Sequence, residues 1–240
     1  MDVIGSAHMI QGSLTSFTLD RFGNPNSALA LNGGYTQVPS GIYFDTPTFT
    51  ISAWVYPATS GWWARLIDFG NGYNLDNVIV SIDTGFNQKP CLEFYDSIGW
   101  LGLAISSQIL TIGQWQLLTT TFDGTLMSVY INSILTVKTP ISFNRPINAT
   151  KTLNFVGKSN TVADGYSSSF IDELKFYSIA LSESEINAVF LQSGSYQIGA
   201  STKSFLTNYW PISNVLLCDV MNGNEMNLSS SVLFTTNRFK

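Results

Sequence analysis

Apolar and polar residues alternate along most of this chain in short runs, the period-2 pattern of strands with one buried and one solvated face. The clearest runs are 27–31, 49–56, 77–82, 91–95, 101–106, 115–122, 125–131, 134–138, 153–157 and 168–176. Gly, Pro, Asn and Asp punctuate them, as at Asp123-Gly124 and Asn132-Ser133, at intervals typical of an antiparallel sandwich. One segment breaks this period. Ser182 and Glu185 form a capping box, and Ile186, Val189 and Phe190 follow on one face, which predicts a single short helix near 182–190. The pattern predicts an all-β, antiparallel two-sheet sandwich, and 240 residues suffice for one large domain of that kind.

Hydrophobic residues make up 45% of the chain and charged residues only 11%, under half the usual ~25%. Asn, Ser, Thr and Gly must therefore supply most of the polar surface, a balance that suits an extracellular, secreted or cell-surface β-protein. The formal net charge is −5, with Lys and Arg scattered singly, so no basic stripe is present to displace counterions from nucleic acid. No run approaches the ~20 apolar residues of a membrane-spanning helix. Met1-Asp2-Val3-Ile4-Gly5 has no signal-peptide pattern, so an export signal is expected upstream or already removed. Cys91 and Cys218 form either one disulfide or two buried thiols. Asn148-Ala149-Thr150 and Asn227-Leu228-Ser229 are glycan acceptors if the chain passes through a eukaryotic secretory pathway.

Catalytic chemistry has little to build on. His8 is the one histidine, so a nucleophile-His dyad would have to use it. Glu93 and Asp96 are three residues apart on a strand, which sends them to opposite faces. They read as solvated strand-end residues rather than as a glycosidase pair. No Cys/His cluster suggests zinc, and no Gly-rich loop opening a helix suggests phosphate. Binding chemistry is better represented. Trp62 and Trp63 lie in one loop, Tyr73, Asp76 and Asn77 in the next, with Tyr95 and Trp100 able to extend the surface. Flat rings beside amides and carboxylates are what a sugar site uses.

Three segments resemble LamG-like jelly rolls of the concanavalin A-like lectin/glucanase superfamily. Phe49-Thr50-Ile51-Ser52-Ala53-Trp54-Val55 looks like their early strand, with Trp54 as a core anchor. Trp115 to Gly124, followed by Val129-Tyr130-Ile131-Asn132, looks like their W-x-H-[LV]-A to [FY]-D-G stretch, although Gln116-Leu117 and Asn132-Ser133 depart from it. Phe170-Ile171-Asp172-Glu173-Leu174 through Ala180-Leu181-Ser182 to Ile186 resembles their closing signature. The resemblance implies a jelly roll that acts as a non-catalytic recognition or adhesion module for glycans or proteins. It also implies a structural Ca²⁺ on Asp172, with Asp20 or the Gly33-Gly34 turn as further oxygen donors. The Glu-x-Asp-x-x-Glu strand of the glucanase relatives is absent.

Residues 2–22 match residues 219–239 without a gap at a constant offset of 217, with eight identities in 21 positions. Tyr209-Trp210-Pro211-Ile212 resembles the first strand of such domains, and nothing like it precedes residue 1. The expected organisation is a jelly roll over 1–204 lacking its first strand. A segment over 205–240 then carries that strand and the start of a next tandem repeat. Tyr209, Trp210 and Ile212 would fill the gap in cis, with Cys218 near Cys91, or in a neighbouring molecule by head-to-tail strand donation. The second arrangement would make the chain a subunit of a filament or repeat array.

Overall fold

The computed structural model describes residues 5, 7–85, 88–141, 149–191 and 203–212. The described strands are β1 (Ile10–Thr18), β2 (Ala28–Val38), β3 (Phe49–Pro57), β4 (Ala64–Gly70), β5 (Val78–Asp83), β6 (Cys91–Tyr95), β7 (Trp100–Ile105), β8 (Gln116–Phe122), β9 (Leu126–Ile131), β10 (Ile134–Pro140), β11 (Leu153–Val156), β12 (Ser167–Tyr177) and β13 (Leu206–Trp210). One helix, α1 (Glu183–Leu191), follows β12, and a single 3-10 turn (Lys203–Phe205) leads into β13. Ser182 caps α1 as expected: its hydroxyl accepts from the Glu185 backbone N–H at 3.3 Å, and its own backbone N–H donates to the Glu185 carboxylate at 2.7 Å.

The strands run in the order β10-β9-β8-β3-β12-β2-β11-β4-β5-β6-β7, every pair antiparallel. The sheet folds over on itself, so that β7 packs against β9 and β10. Strand β2 makes the corner, pairing with β12 through 29–34 and with β11 through 36–38. Gly33, at φ +69°, sits at that switch, a conformation that costs a side chain and not glycine. The layers close on Gly102 of β7, where a Cβ would stand 2.4 Å from the Ile141 side chain. Between the layers lie Phe49, Ile51, Val55, Leu66, Phe69, Val80, Phe94 and Phe122, all buried.

Trp54 does not anchor this core. Its ring lies in a second cluster on the outer face of β3, stacked on Phe190 of α1 at 5.8 Å, with Leu117, Tyr130, Ile186 and Tyr209 around it. Strands β1, β4 and the extension of β2 are the elements that the alternation pattern missed. Strand β4 is buried along its whole length, so it offers no alternation to read.

Strand β13 pairs with β12 of its own chain, Trp210 opposite Leu174 and Leu206 opposite Tyr177. It extends the edge of β12 beyond the stretch taken by β2. Tyr209 and Trp210 are fully buried and Ile212 nearly so. The indole N–H of Trp210 donates to the Ala7 carbonyl at 2.7 Å. Cys218, Asn148, Asn227 and the repeat over 219–239 lie outside the described residues.

Cys91 opens β6 fully buried and with no disulfide partner among the described residues, and burial pushes its thiol pKa up to about 12. Because only the thiolate reacts, Cys91 is expected to resist alkylation in the native protein and to be modified only as the protein unfolds. Alkylation followed by peptide mapping checks this, and rapid native labelling of Cys91 would show that the outer face of β6 is open.

Candidate functional site

Strands β4 to β7 present an apolar inner face: Ile67, Val80, Leu92 and Ala104 form one row, and Phe69, Val78, Phe94 and Gly102 the next. Strand alternation sends the intervening residues outward. These are Arg65, Ser81, Cys91 and Ile105 in one row, and Asp68, Ile79, Glu93 and Leu103 in the other. The loop over 157–166 folds onto the β4 end of both rows. Arg65 pairs with Asp164 at 2.6 Å and donates to Ser81. Asp68 accepts from Asn77, Ser159 and Asn160, including the Asn160 backbone N–H at 2.8 Å. Burial still raises the pKa of Asp68, against those hydrogen bonds and the charge of Arg65.

Glu93 is not the solvated strand-end residue that its position suggested. It is buried in the middle of the outer face, and Asp96 alone takes the turn, accepting from the Ile98 and Gly99 amides. Burial raises the pKa of Glu93, opposed by the charge of Arg65. The Tyr95 hydroxyl donates to Glu93 at 3.1 Å. Tyr95 and Trp100 face each other across β6 and β7. One buried carboxylate thus holds the Tyr95 ring by its hydroxyl, with the Trp100 ring opposite it across the strand pair. Trp100 is 60% exposed and neighbouring Tyr73 is 67% exposed, so their faces remain open to solvent.

The residues expected to bind a ligand divide into three groups. Tyr73, Tyr95 and Trp100 come together at the 70–77 end of the layer. Trp62 and Trp63 lie at the opposite end, before β4, the length of a seven-residue strand away, about 20 Å at 3.3 Å per residue. Neither of these tryptophans is fully buried: Trp62 is exposed and packs on Gly85, while Trp63 lies under the Arg65 guanidinium at 5.1 Å. Asp76 and Asn77 are buried. Asn77 donates to Asp68 and accepts from the Leu75 amide, and Asp76 accepts from Asn71 through its carboxylate and from Lys151 through its carbonyl. Their part is to fix the loop that displays Tyr73. Glu93, which the sequence pattern left among surface residues, is the group that organises the face.

The residues expected to hold calcium are engaged with protein groups. Asp172 accepts from Arg21 at 3.0 Å, and Glu173 accepts from Arg21 at 2.6 Å and from Lys175 at 2.7 Å. Burial opposes ionisation of Glu173, but Lys175 and Arg21 together outweigh it and hold its pKa below normal. Burial, with Glu173 alongside, raises the pKa of Asp172 well above normal despite Arg21. Asp20 closes its own loop, accepting from the Phe22 and Asn24 amides and from the Asn24 side chain. Gly33 serves the corner of β2. Among the described residues, no three His, Cys, Asp or Glu side chains converge on one point.

Residues 31–187 match the family described as the concanavalin A-like lectin/glucanases superfamily. Solved structures of similar fold include domain 4 of AbnA, a GH43 extracellular arabinanase from Geobacillus stearothermophilus, in complex with arabinotriose. That likeness has 20% identity over 73% of this chain and 87% of that one, with a TM-score of 0.54. The binding domain of botulinum neurotoxin serotype G is similar at 18% identity over 78% of this chain, with a TM-score of 0.60. The binding domain of Paraclostridial Mosquitocidal Protein 1 is similar at 19% identity over 77%, with a TM-score of 0.57. This chain spans 46% and 47% of those two domains, and at such identities the likeness establishes the fold alone. No curated sequence matches the chain. The family match covers most of the chain, and the protein belongs to the concanavalin A-like lectin/glucanases superfamily.

Proposed function

We propose that this protein is an extracellular, non-catalytic binding module whose ligand is a glycan held on the Tyr73-Tyr95-Trp100 face. The observation that carries this reading is the aromatic pair at this end of the layer: Tyr95 is held by its hydroxyl on the buried carboxylate of Glu93, and Trp100 stands opposite it with its ring exposed. A ring fixed by its edge, as Tyr95 is, loses little freedom when a sugar stacks on it, so less of the binding energy goes into ordering. The arabinotriose complex of domain 4 of AbnA supports a saccharide as the ligand class. Asp68 and Glu93 lie under loop 157–166 or under aromatic rings, which supports a structural part for both rather than acid–base chemistry.

Trp100→Ala and Tyr73→Ala are each expected to weaken binding by about 30-fold, the ~2 kcal/mol of an interface anchor, and to leave the melting temperature unchanged, since both rings are exposed. A glycan array that includes arabinotriose, followed by calorimetry on the best binder, measures this. Undiminished binding by both variants would sink the assignment of this face.

A second reading, a subunit assembled head-to-tail, rests on the repeat over 219–239 and would require β13, which here pairs within its own chain, to exchange between copies.

A further inference from the structure

The outer side of the 157–166 loop walls a cavity of about 290 Å³ that belongs to neither aromatic group of the β4 to β7 layer. Leu153, Phe155 and Tyr166 form its apolar side, Thr161 and Asp164 its polar side, and Lys158 lies across it. The Lys158 ammonium sits 4.5 Å from the centre of the Phe155 ring and 4.7 Å from that of Tyr35. Tyr35 in turn packs edge-on to Phe155 at 5.6 Å and beside Tyr166 at 6.0 Å.

The other charge in the cavity is neutralised. Asp164 is paired with Arg65, both side chains being buried. The Asn160 amide groups are directed to Asp68 and the Leu153 carbonyl. Lys158 has no carboxylate partner among the described residues and no hydrogen bond to a described acceptor. Ring faces hold its ammonium by cation–π attraction without using up its N–H donors. An ammonium against apolar rings also faces weaker competition from water, so an arriving anion is attracted more strongly than at an open surface.

We propose that this cavity binds an acidic sugar residue, its carboxylate on Lys158 and the apolar face of its ring against Tyr166. The size suits one monosaccharide unit, since the cavity falls just below the ~300–1,000 Å³ of pockets that take larger ligands. The apolar wall argues for a sugar rather than a bare anion, which would leave Leu153, Phe155 and Tyr166 uncovered. The site uses none of the residues of the Tyr73-Tyr95-Trp100 face, so either can fail without the other.

Calorimetry or NMR titration of the full chain with digalacturonate, with its neutral counterpart digalactose and with inorganic sulfate tests the proposal. Digalacturonate is expected to bind at least ~10-fold more tightly than digalactose, the scale of one charge-assisted hydrogen bond, and sulfate is expected not to compete. Lys158→Gln should abolish the preference for the acidic sugar, Lys158→Arg should keep it, and both should melt with the parent. Equal binding of the neutral sugar, full competition by sulfate, or an unchanged preference in Lys158→Gln would each overturn it.

Discussion

Replacing Arg21 by alanine is expected to lower the unfolding free energy by about 3–5 kcal/mol, the cost of leaving buried charge without its partner. The guanidinium is 6% exposed and reaches Asp172 and Glu173 at once, while its flat face covers Phe22 at 4.3 Å and Trp54 at 4.6 Å. Neighbouring residues on a regular strand point to opposite faces. Here the register slips between Asp172 and Lys175, and Glu173 takes φ +50°, which brings both carboxylates to one cation. Arg21→Lys should recover little, because an ammonium can neither fork between two carboxylates nor stack on both rings. The pH dependence has a definite sign. Asp172 already has a raised pKa in the fold, so its ionisation opposes folding as pH rises through that value. Removing Arg21 strengthens this effect, and the deficit of the variant should narrow as pH is lowered from 7 towards 5. Denaturant midpoints at several pH values measure both effects. A loss under about 1 kcal/mol, or a deficit that widens on acidification, would show that solvent rather than Arg21 answers Asp172.

Trp210→Ala is expected to cost about 3–5 kcal/mol, the range for deleting a large buried aromatic. Its ring is fully buried and packs edge-on to Phe176 at 5.2 Å, and its N–H is satisfied by Ala7. Without it, β13 loses its main hold on the core, and the edge of β12 beyond β2 is left with unpaired backbone groups. The same measurement bears on assembly. If β13 is exchanged between copies, the stability of the intact chain rises with protein concentration, and Trp210→Ala removes both that dependence and any polymers seen by light scattering. Concentration-independent unfolding of a monomer would refute head-to-tail assembly and leave closure within one chain. A near-neutral Trp210→Ala would refute the role of β13 altogether.

The sequence by itself determined the fold class, most of the strands, the capped helix and the family. Each of these is written locally, in period-2 alternation, turn residues, a Ser182–Glu185 box or a contiguous motif such as Phe170 to Phe176. It also marked Tyr209-Trp210 as a strand and offered Tyr73, Tyr95 and Trp100 as candidate binding aromatics, because rings in polar loops and apolar pairs after a turn are visible without neighbours. Tertiary structure decided the rest. That Trp62 and Trp63 stand a strand length away from Tyr73, that Glu93 is buried beneath Tyr95, and that Asp172 meets Arg21 depend on which strands pair, at separations of up to 151 residues. The Lys158 cavity is of the same kind. Phe155 and Tyr166 are near Lys158 in sequence, but Tyr35 joins them only after β2 has turned its corner at Gly33. Local periodicity records how each strand divides between core and surface. The chemistry of the outer face arises from register across strands, and only the folded chain fixes that.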